Sequence, residues 1–164
     1  MYVHHFGTDS PQTDDWAILA LLNVIQGAGR RFEIPQGFGG TCRAYTDYSP
    51  FPRMQIGDLS LQNGGQFGVC GGNGHCTHQN GVDVDVRYLR SDAAEQGLDL
   101  ASADSIYYDI LQTADLLYCF LLDERVELIY YDSARTGIDN PPGFQILTNA
   151  QGHSNHFHVR IRAY

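Results

Sequence analysis

Two stretches hold most of the side chains that can do chemistry. The first is "GHCTHQNGVDVDV", residues 74–86, and the second is "HSNHFHVRI", residues 153–161. One carries His75 and His78, a glycine at position 81, then Asp83 and Asp85; the other carries His153, His156 and His158. Imidazole and carboxylate groups are ligands for divalent metals, and a catalytic zinc site takes three protein ligands and keeps one position for water. His78, Asp85 and His158 form such a set, with donor atoms expected at ~2.0–2.2 Å from a single zinc ion. An open coordination position points to hydrolysis rather than to a scaffold.

The elements that must position these residues follow from periodicity. In "GVDVDVRYL", Val82, Val84 and Val86 alternate with Asp83 and Asp85, predicting a strand with its valines inward and both carboxylates on the other face. His156 and His158, two apart, leave one face of a last strand in "NHFHVRIRA". A short first strand is expected over Tyr2 to Phe6. A helix is expected from Thr13, its N-cap, with Asp14 and Asp15 in the first turn, Trp16, Leu19, Ala20, Leu22 and Asn23 at helical spacing, and Gly27 and Gly29 as stops.

Residues 30–52 read as a long loop with one strand in "TCRAYTDY", and "RMQIGDLSLQNGG" as a strand entering a glycine-rich loop. "SADSIYYDILQTADLLYCFLLDE" predicts the longest helix, capped near Ser102 or Asp104, with Ile106, Ile110, Leu111, Leu117, Phe120 and Leu121 as its apolar stripe. "RVELIYYD" is a strand and "SARTGIDNPPGF" a loop. Because strands and helices do not alternate regularly, the expected class is α+β, a small mostly antiparallel sheet flanked by two main helices and long loops. With 164 residues and no repeats or dividing linker, residues 1–164 are expected to form one domain.

Composition excludes several functions. The chain is 43% hydrophobic, which is ordinary for a globular fold, and has 10 basic residues against 19 acidic ones, every basic one an arginine. A chain with net charge -9 neutralises few phosphates, so nucleic acid and anionic membranes are not expected partners. No apolar run approaches the roughly 20 residues of a membrane span. The start "MYVHHFGTDS" lacks the basic and apolar regions of a secretory leader, so the expectation is either a protein that stays inside the cell or a mature chain with its leader removed. His4 and His5 are expected to have no catalytic role.

Cys42, Cys70, Cys76 and Cys119 allow three pairings into two disulfides. Cys119, inside the longer helix, also reads as a buried thiol, and Cys70 with Cys76 as a disulfide bracing the site loop. A thiolate zinc finger is disfavoured because no second Cys-x-x-Cys or Cys-x-x-His pair follows. The pairs Tyr107–Tyr108 and Tyr130–Tyr131 read as half-buried residues, a tyrosine lining the cleft being able to bind peptide.

"HQNGVDVD" has the form His-x-x-Gly-x-x-x-Asp, and "HFH" is a His-x-His pair. In this order they resemble the zinc peptidases of the lysostaphin, D-alanyl-D-alanine metallopeptidase and murein endopeptidase group. "IGDLSLQNGG", "HCTHQNGVDVDV" and "HSNHFHVRI" resemble the penicillin-insensitive murein endopeptidases in particular, covering Arg53 to Val86 and His153 to Arg160. The resemblance implies that His78, Asp85 and His158 are the ligands of one zinc ion, with His75, His153 and His156 lining the site. The spacing of seven from His78 favours Asp85 over Asp83, which is left to orient a ligand imidazole.

Related carboxypeptidases carry a glutamate base three residues before the last zinc histidine. That place is Asn155, which takes no proton, so His156 or His153 is the expected base. His153 or His75 is then expected to steady the oxyanion or protonate the leaving amine. The implied substrate is the peptide stems of peptidoglycan, cut between D-alanine and meso-diaminopimelate in the periplasm or outside the cell. Arg87, Arg135 and Arg160 are candidate anchors for its carboxylates. The rival readings are a D-alanyl-D-alanine carboxypeptidase or dipeptidase, and a non-catalytic zinc-binding recognition module.

Overall fold

A computed structural model describes residues 4–5, 16–34, 42, 52–61, 63–66, 76–139 and 147–162. Its sheet comprises β1 (His4–His5), β2 (Gln55–Ile56), β3 (Asp83–Arg87), β4 (Val126–Tyr131), β5 (Leu147–Asn149) and β6 (His156–Ile161), in the order β1-β2-β3-β6-β4-β5. The central four strands, β2, β3, β6 and β4, pair antiparallel, while β1 and β5 add in parallel at the edges. The fold is thus α+β with a mostly antiparallel sheet, as the irregular element order predicts.

The helices are α1 (Leu19–Glu33), α2 (Ile110–Leu121) and the short α3 (Ser133–Thr136). Alternation within the strands gives the sheet two different faces. Val84, Val86, Phe157, Val159 and Ile129 are fully buried in one core with Leu21, Val24, Ile25 and Phe32 of α1 and Leu116, Leu117 and Phe120 of α2. Phe120 meets Phe157 edge-on at 5.8 Å. The opposite face of β3 and β6 carries the aspartates and histidines.

Both main helices differ from their expected form, for tertiary reasons. Residues 16–18 are not helical, because the Trp16 N–H donates to the Ser60 carbonyl at 3.1 Å and the Ile18 N–H to the Gly81 carbonyl at 3.0 Å. Helix α1 therefore starts at Leu19, and it runs through Gly27 and Gly29 because Ala28 and Phe32 are held in the core. Its inner face is Leu21, Val24, Ile25, Ala28 and Phe32, whereas Trp16, Leu19 and Leu22 are exposed. The predicted cap and first turn, residues 13–15, lie outside the described residues, as does the strand expected at 41–48 apart from Cys42, which stands in a bend.

The expected long helix is broken in two. Ser102 caps a short 3-10 helix (Ala103–Tyr107), and Asp109 caps α2 by accepting from the Gln112 N–H. The break is held from outside: Arg90 bridges Tyr108, Ser91 N–H donates to the Tyr107 carbonyl, and Asp109 N–H donates to the Leu89 carbonyl. Ile106, Ile110 and Leu111 are consequently exposed rather than part of the stripe. Cys119 is no buried thiol but is joined to Cys42 by a disulfide. Cys76 is also disulfide-bonded, and Cys70 lies outside the described residues.

Candidate functional site

Strand register assembles most of the site. In the β3–β6 ladder Asp85 lies directly opposite His158, Asp83 opposite Arg160 and Arg87 opposite His156, all on the face away from the helices. Tyr130 of β4 extends the row on the other side of His158. His78 comes from the loop before β3, where its backbone takes φ 47°, a left-handed conformation rare for a residue with a side chain. Strain of that kind collects at functional sites. Gly81, at φ 70°, makes the turn from His78 into β3. A Cβ there would sit 3.0 Å from the Ile18 nitrogen, so glycine is needed both for conformation and for close approach.

Three donor atoms converge. His78 Nε2 lies 3.1 Å from Asp85 Oδ1 and 3.1 Å from His158 Nδ1, and His158 Nδ1 lies 2.9 Å from Asp85 Oδ1. Around a tetrahedral zinc ion, neighbouring ligand atoms stand about 3.3 Å apart, so one ion fits the triangle. The outer nitrogens determine which atoms face inward. His78 Nδ1 lies 2.6 Å from the Leu59 carbonyl, which can only accept, so Nδ1 carries the proton and Nε2 presents a lone pair. His158 Nε2 lies 2.8 Å from Asp83 Oδ1, so in the neutral ring Nδ1 presents a lone pair as well. Two lone pairs and a carboxylate aimed at one point call for a cation. All three residues are buried, and they form a group that could hold a metal ion.

The electrostatics agree. Burial pushes the Asp85 carboxyl up, but the nearby charge of His156 and the hydrogen bonds of His158 and His78 outweigh it and hold it well below its ordinary range. Burial pushes the His158 imidazole down, but its bonds to Asp83 and Asp85 outweigh that and raise it to about 9. Without a metal, a proton on Nδ1 therefore occupies the place a metal ion would take. Asp83, 1% exposed, accepts from His158 and from Arg160 Nε at 2.8 Å. Burial raises its pKa, and these two partners together bring it below the ordinary value.

Around this centre, His156 Nε2 stands 3.6 Å from Asp85 Oδ1, while His156 Nδ1 donates to Asn155 Oδ1 at 2.6 Å. His153 Nδ1 donates to the Ala150 carbonyl at 3.1 Å, and its ring lies 4.9 Å from His156 and 6.1 Å from Tyr130. Burial pushes its imidazole down, against the carbonyl bond and the nearby aspartates. The loop before β6 is tied in place: Tyr88 O–H donates to the His153 carbonyl and Leu100 N–H to the Ser154 carbonyl, both at 2.8 Å.

Of the residues expected to line the site, His153 and His156 are brought to it, and His75 lies outside the described residues. The three arginines differ. Arg160 is forked onto Asp83, Arg135 is paired with Asp132 at the start of α3, and Arg87 is half-buried near the Asp58 charge. Tyr130, read from sequence as one of a half-buried pair with a cleft-lining tyrosine as the alternative, stands 6.1 Å from the His153 ring and 5.8 Å from the His158 ring. The Leu59 carbonyl was missed, because a backbone carbonyl leaves no trace in residue type.

No helix among the described residues is long and apolar enough to cross a membrane. No curated protein matches the chain. Residues 42–115, which include His78 and Asp85 but end before His158, match the family model described as penicillin-insensitive murein endopeptidase, and over that span the chain is similar to those peptidases of the cell wall.

Proposed function

We propose that the chain is a zinc-dependent peptidase that hydrolyses peptide bonds in peptidoglycan cross-links, of the D-alanyl to meso-diaminopimelyl endopeptidase type. The observation that carries this reading is the triangle of His78 Nε2, Asp85 Oδ1 and His158 Nδ1 on a chain whose residues 42–115 match murein endopeptidases. These three residues would hold one Zn²⁺ ion, with Asp83 orienting the His158 ring. Bound there, the ion supplies Lewis acidity, polarising an amide carbonyl and bringing a water toward a pKa of about 7.

The chain's own groups do the rest. Because His156 keeps its ring proton on Nδ1, donated as a hydrogen bond to Asn155 Oδ1, its Nε2 carries a lone pair on the Asp85 side of the centre. That nitrogen takes the proton of the attacking water as general base and returns it to the leaving amine. Asn155, which cannot itself take the proton, orients the residue that does. His153, whose pKa burial lowers and whose Nδ1–H is donated to the Ala150 carbonyl, packs against His156 and Tyr130 and helps to fix the His156 ring, so the role at the oxyanion or the leaving amine is left to His75. Of the arginines, Arg87 stands opposite His156 in the ladder and is the better carboxylate anchor, whereas Arg160 is committed to Asp83 and Arg135 to Asp132.

A substrate in the cell wall places the protein in the periplasm or outside the cell, and the Cys42–Cys119 disulfide fits an oxidising compartment. Digesting purified peptidoglycan with the zinc-loaded protein and separating the muropeptides tests the reading. Loss of cross-linked dimers is the expected result. Loss of terminal D-alanine alone would assign a carboxypeptidase instead, and intact wall in the presence of bound zinc would assign a recognition module.

A further inference from the structure

A second concavity lies immediately beside the ligand loop. It is an open depression of about 360 Å³, lined by residues 16–18, 60–61, 63–65 and 79–81. That volume is within the range of small-ligand pockets, roughly 300–1,000 Å³. The walls are bonded to one another rather than merely adjacent. Trp16 N–H donates to the Ser60 carbonyl, Ser60 Oγ donates to the Trp16 carbonyl at 2.8 Å, and Ile18 N–H donates to the Gly81 carbonyl. On the far side Gly65 N–H donates to the Gln79 carbonyl at 2.8 Å. A Cβ on Gly64 would come within 2.5 Å of that same carbonyl oxygen, so the wall closes only because glycine stands there. The cavity is therefore preformed.

Its chemistry is unusual for this chain. In a protein of net charge -9, none of the described residues lining the cavity is charged. Its lining instead includes Trp16, 47% exposed, and three amide residues, Asn63, Gln79 and Asn80, of which Gln79 donates through Nε2 to the Cys76 carbonyl at 3.3 Å. An exposed tryptophan among amide residues matches one ligand class particularly well. A pyranose ring has a face of C–H bonds that packs on an indole, and a rim of hydroxyl and acetamido groups that pair with amide donors and acceptors. A stem peptide, by contrast, brings carboxylates and amines that such a lining does not compensate.

We infer that this cavity is a saccharide subsite that takes an uncharged N-acetylhexosamine unit of a glycan strand. The inference rests on the peptidoglycan reading for its biological substrate, since glycan and stem peptide are parts of one polymer there. Gln79, Asn80 and Gly81 directly follow the ligand His78 in the chain. A glycan held in the cavity thus lies next to the loop that positions the metal centre, and would present its attached stems locally.

The chain has a single tryptophan, which makes the test direct. The probe is an uncharged β-1,4-linked N-acetylglucosamine tetramer, titrated while Trp16 emission is recorded. The expected result is a saturable change in the millimolar range or tighter. Replacing both exposed amides, Asn63→Ala with Asn80→Ala, should weaken it about tenfold, as expected for two lost hydrogen bonds. Absence of a saturable change in the unmodified protein, or an equal response to a sugar-free stem peptide, overturns the inference. The readout is binding, so the two readings fail separately. Saccharide binding without any cleavage of peptidoglycan would remove the peptidase reading and leave the subsite, whereas cleavage without saccharide binding would remove the subsite alone.

Discussion

At the scale of single residues, the site is organised by what each imidazole does with its outer nitrogen. His78 gives one nitrogen to the Leu59 carbonyl, His158 to Asp83 and His156 to Asn155, and each thereby turns a defined nitrogen inward. His156→Ala should lower turnover by about 10²–10⁴-fold, the usual contribution of a general base, while leaving one metal ion bound. Kinetics with metal analysis on the same sample checks both halves. The His158 shift also has a consequence for stability. Its pKa in the folded, metal-free chain is about 9 against an ordinary 6.5, so the stabilisation it brings is complete below about pH 6.5 and lost as pH rises through 9. Asp83 and Asp85 are shifted downward, so their contribution is present above about pH 3.8 and lost as pH falls below it. Melting temperatures of chelator-treated protein should therefore decline from pH 6.5 to 9, and zinc should flatten that decline, because ligation removes the proton at issue.

At the scale of elements, the positioning of His78 depends on a turn that side chains do not fill. Gly81→Ala forces a residue with a Cβ to φ 70° and against the Ile18 nitrogen. It should cost about 1–3 kcal/mol and weaken metal binding, read by thermal melting and by zinc titration. The same contact explains what was legible in the sequence. The strand carrying Asp83 and Asp85 and the strand carrying His156 and His158 could be read directly, because an alternation of two needs no knowledge of neighbours. Helix starts and faces could not. Trp16 and Ile18 have the spacing of a helix, yet Ser60 and Gly81 take their amide hydrogens, and those partners are far away in the chain. Likewise Tyr107 to Asp109 break a continuous helical pattern because Arg90, Ser91 and Leu89 bond to them. The parallel addition of β5 to β4 and the bond from Cys42 to Cys119 also join distant segments that carry no mark of each other.

At the scale of the molecule, the sheet separates its two tasks by face. One face meets the helices and supplies the core; the other carries the buried imidazoles and carboxylate of a group that could hold a metal ion. The family match ends at residue 115, so His158 reaches the centre through the antiparallel pairing of β6 with β3, which is a property of the whole fold. The central claim, that His78, Asp85 and His158 hold one catalytic zinc ion, is tested most directly by adding zinc to metal-free protein and measuring cleavage of a cross-linked muropeptide dimer. Activity should be absent at the start, rise in proportion to zinc and level off at one equivalent, and Asp85→Asn should abolish both binding and cleavage. Cleavage that persists without metal, or a variant at Asp85 that binds zinc and cleaves normally, would contradict it.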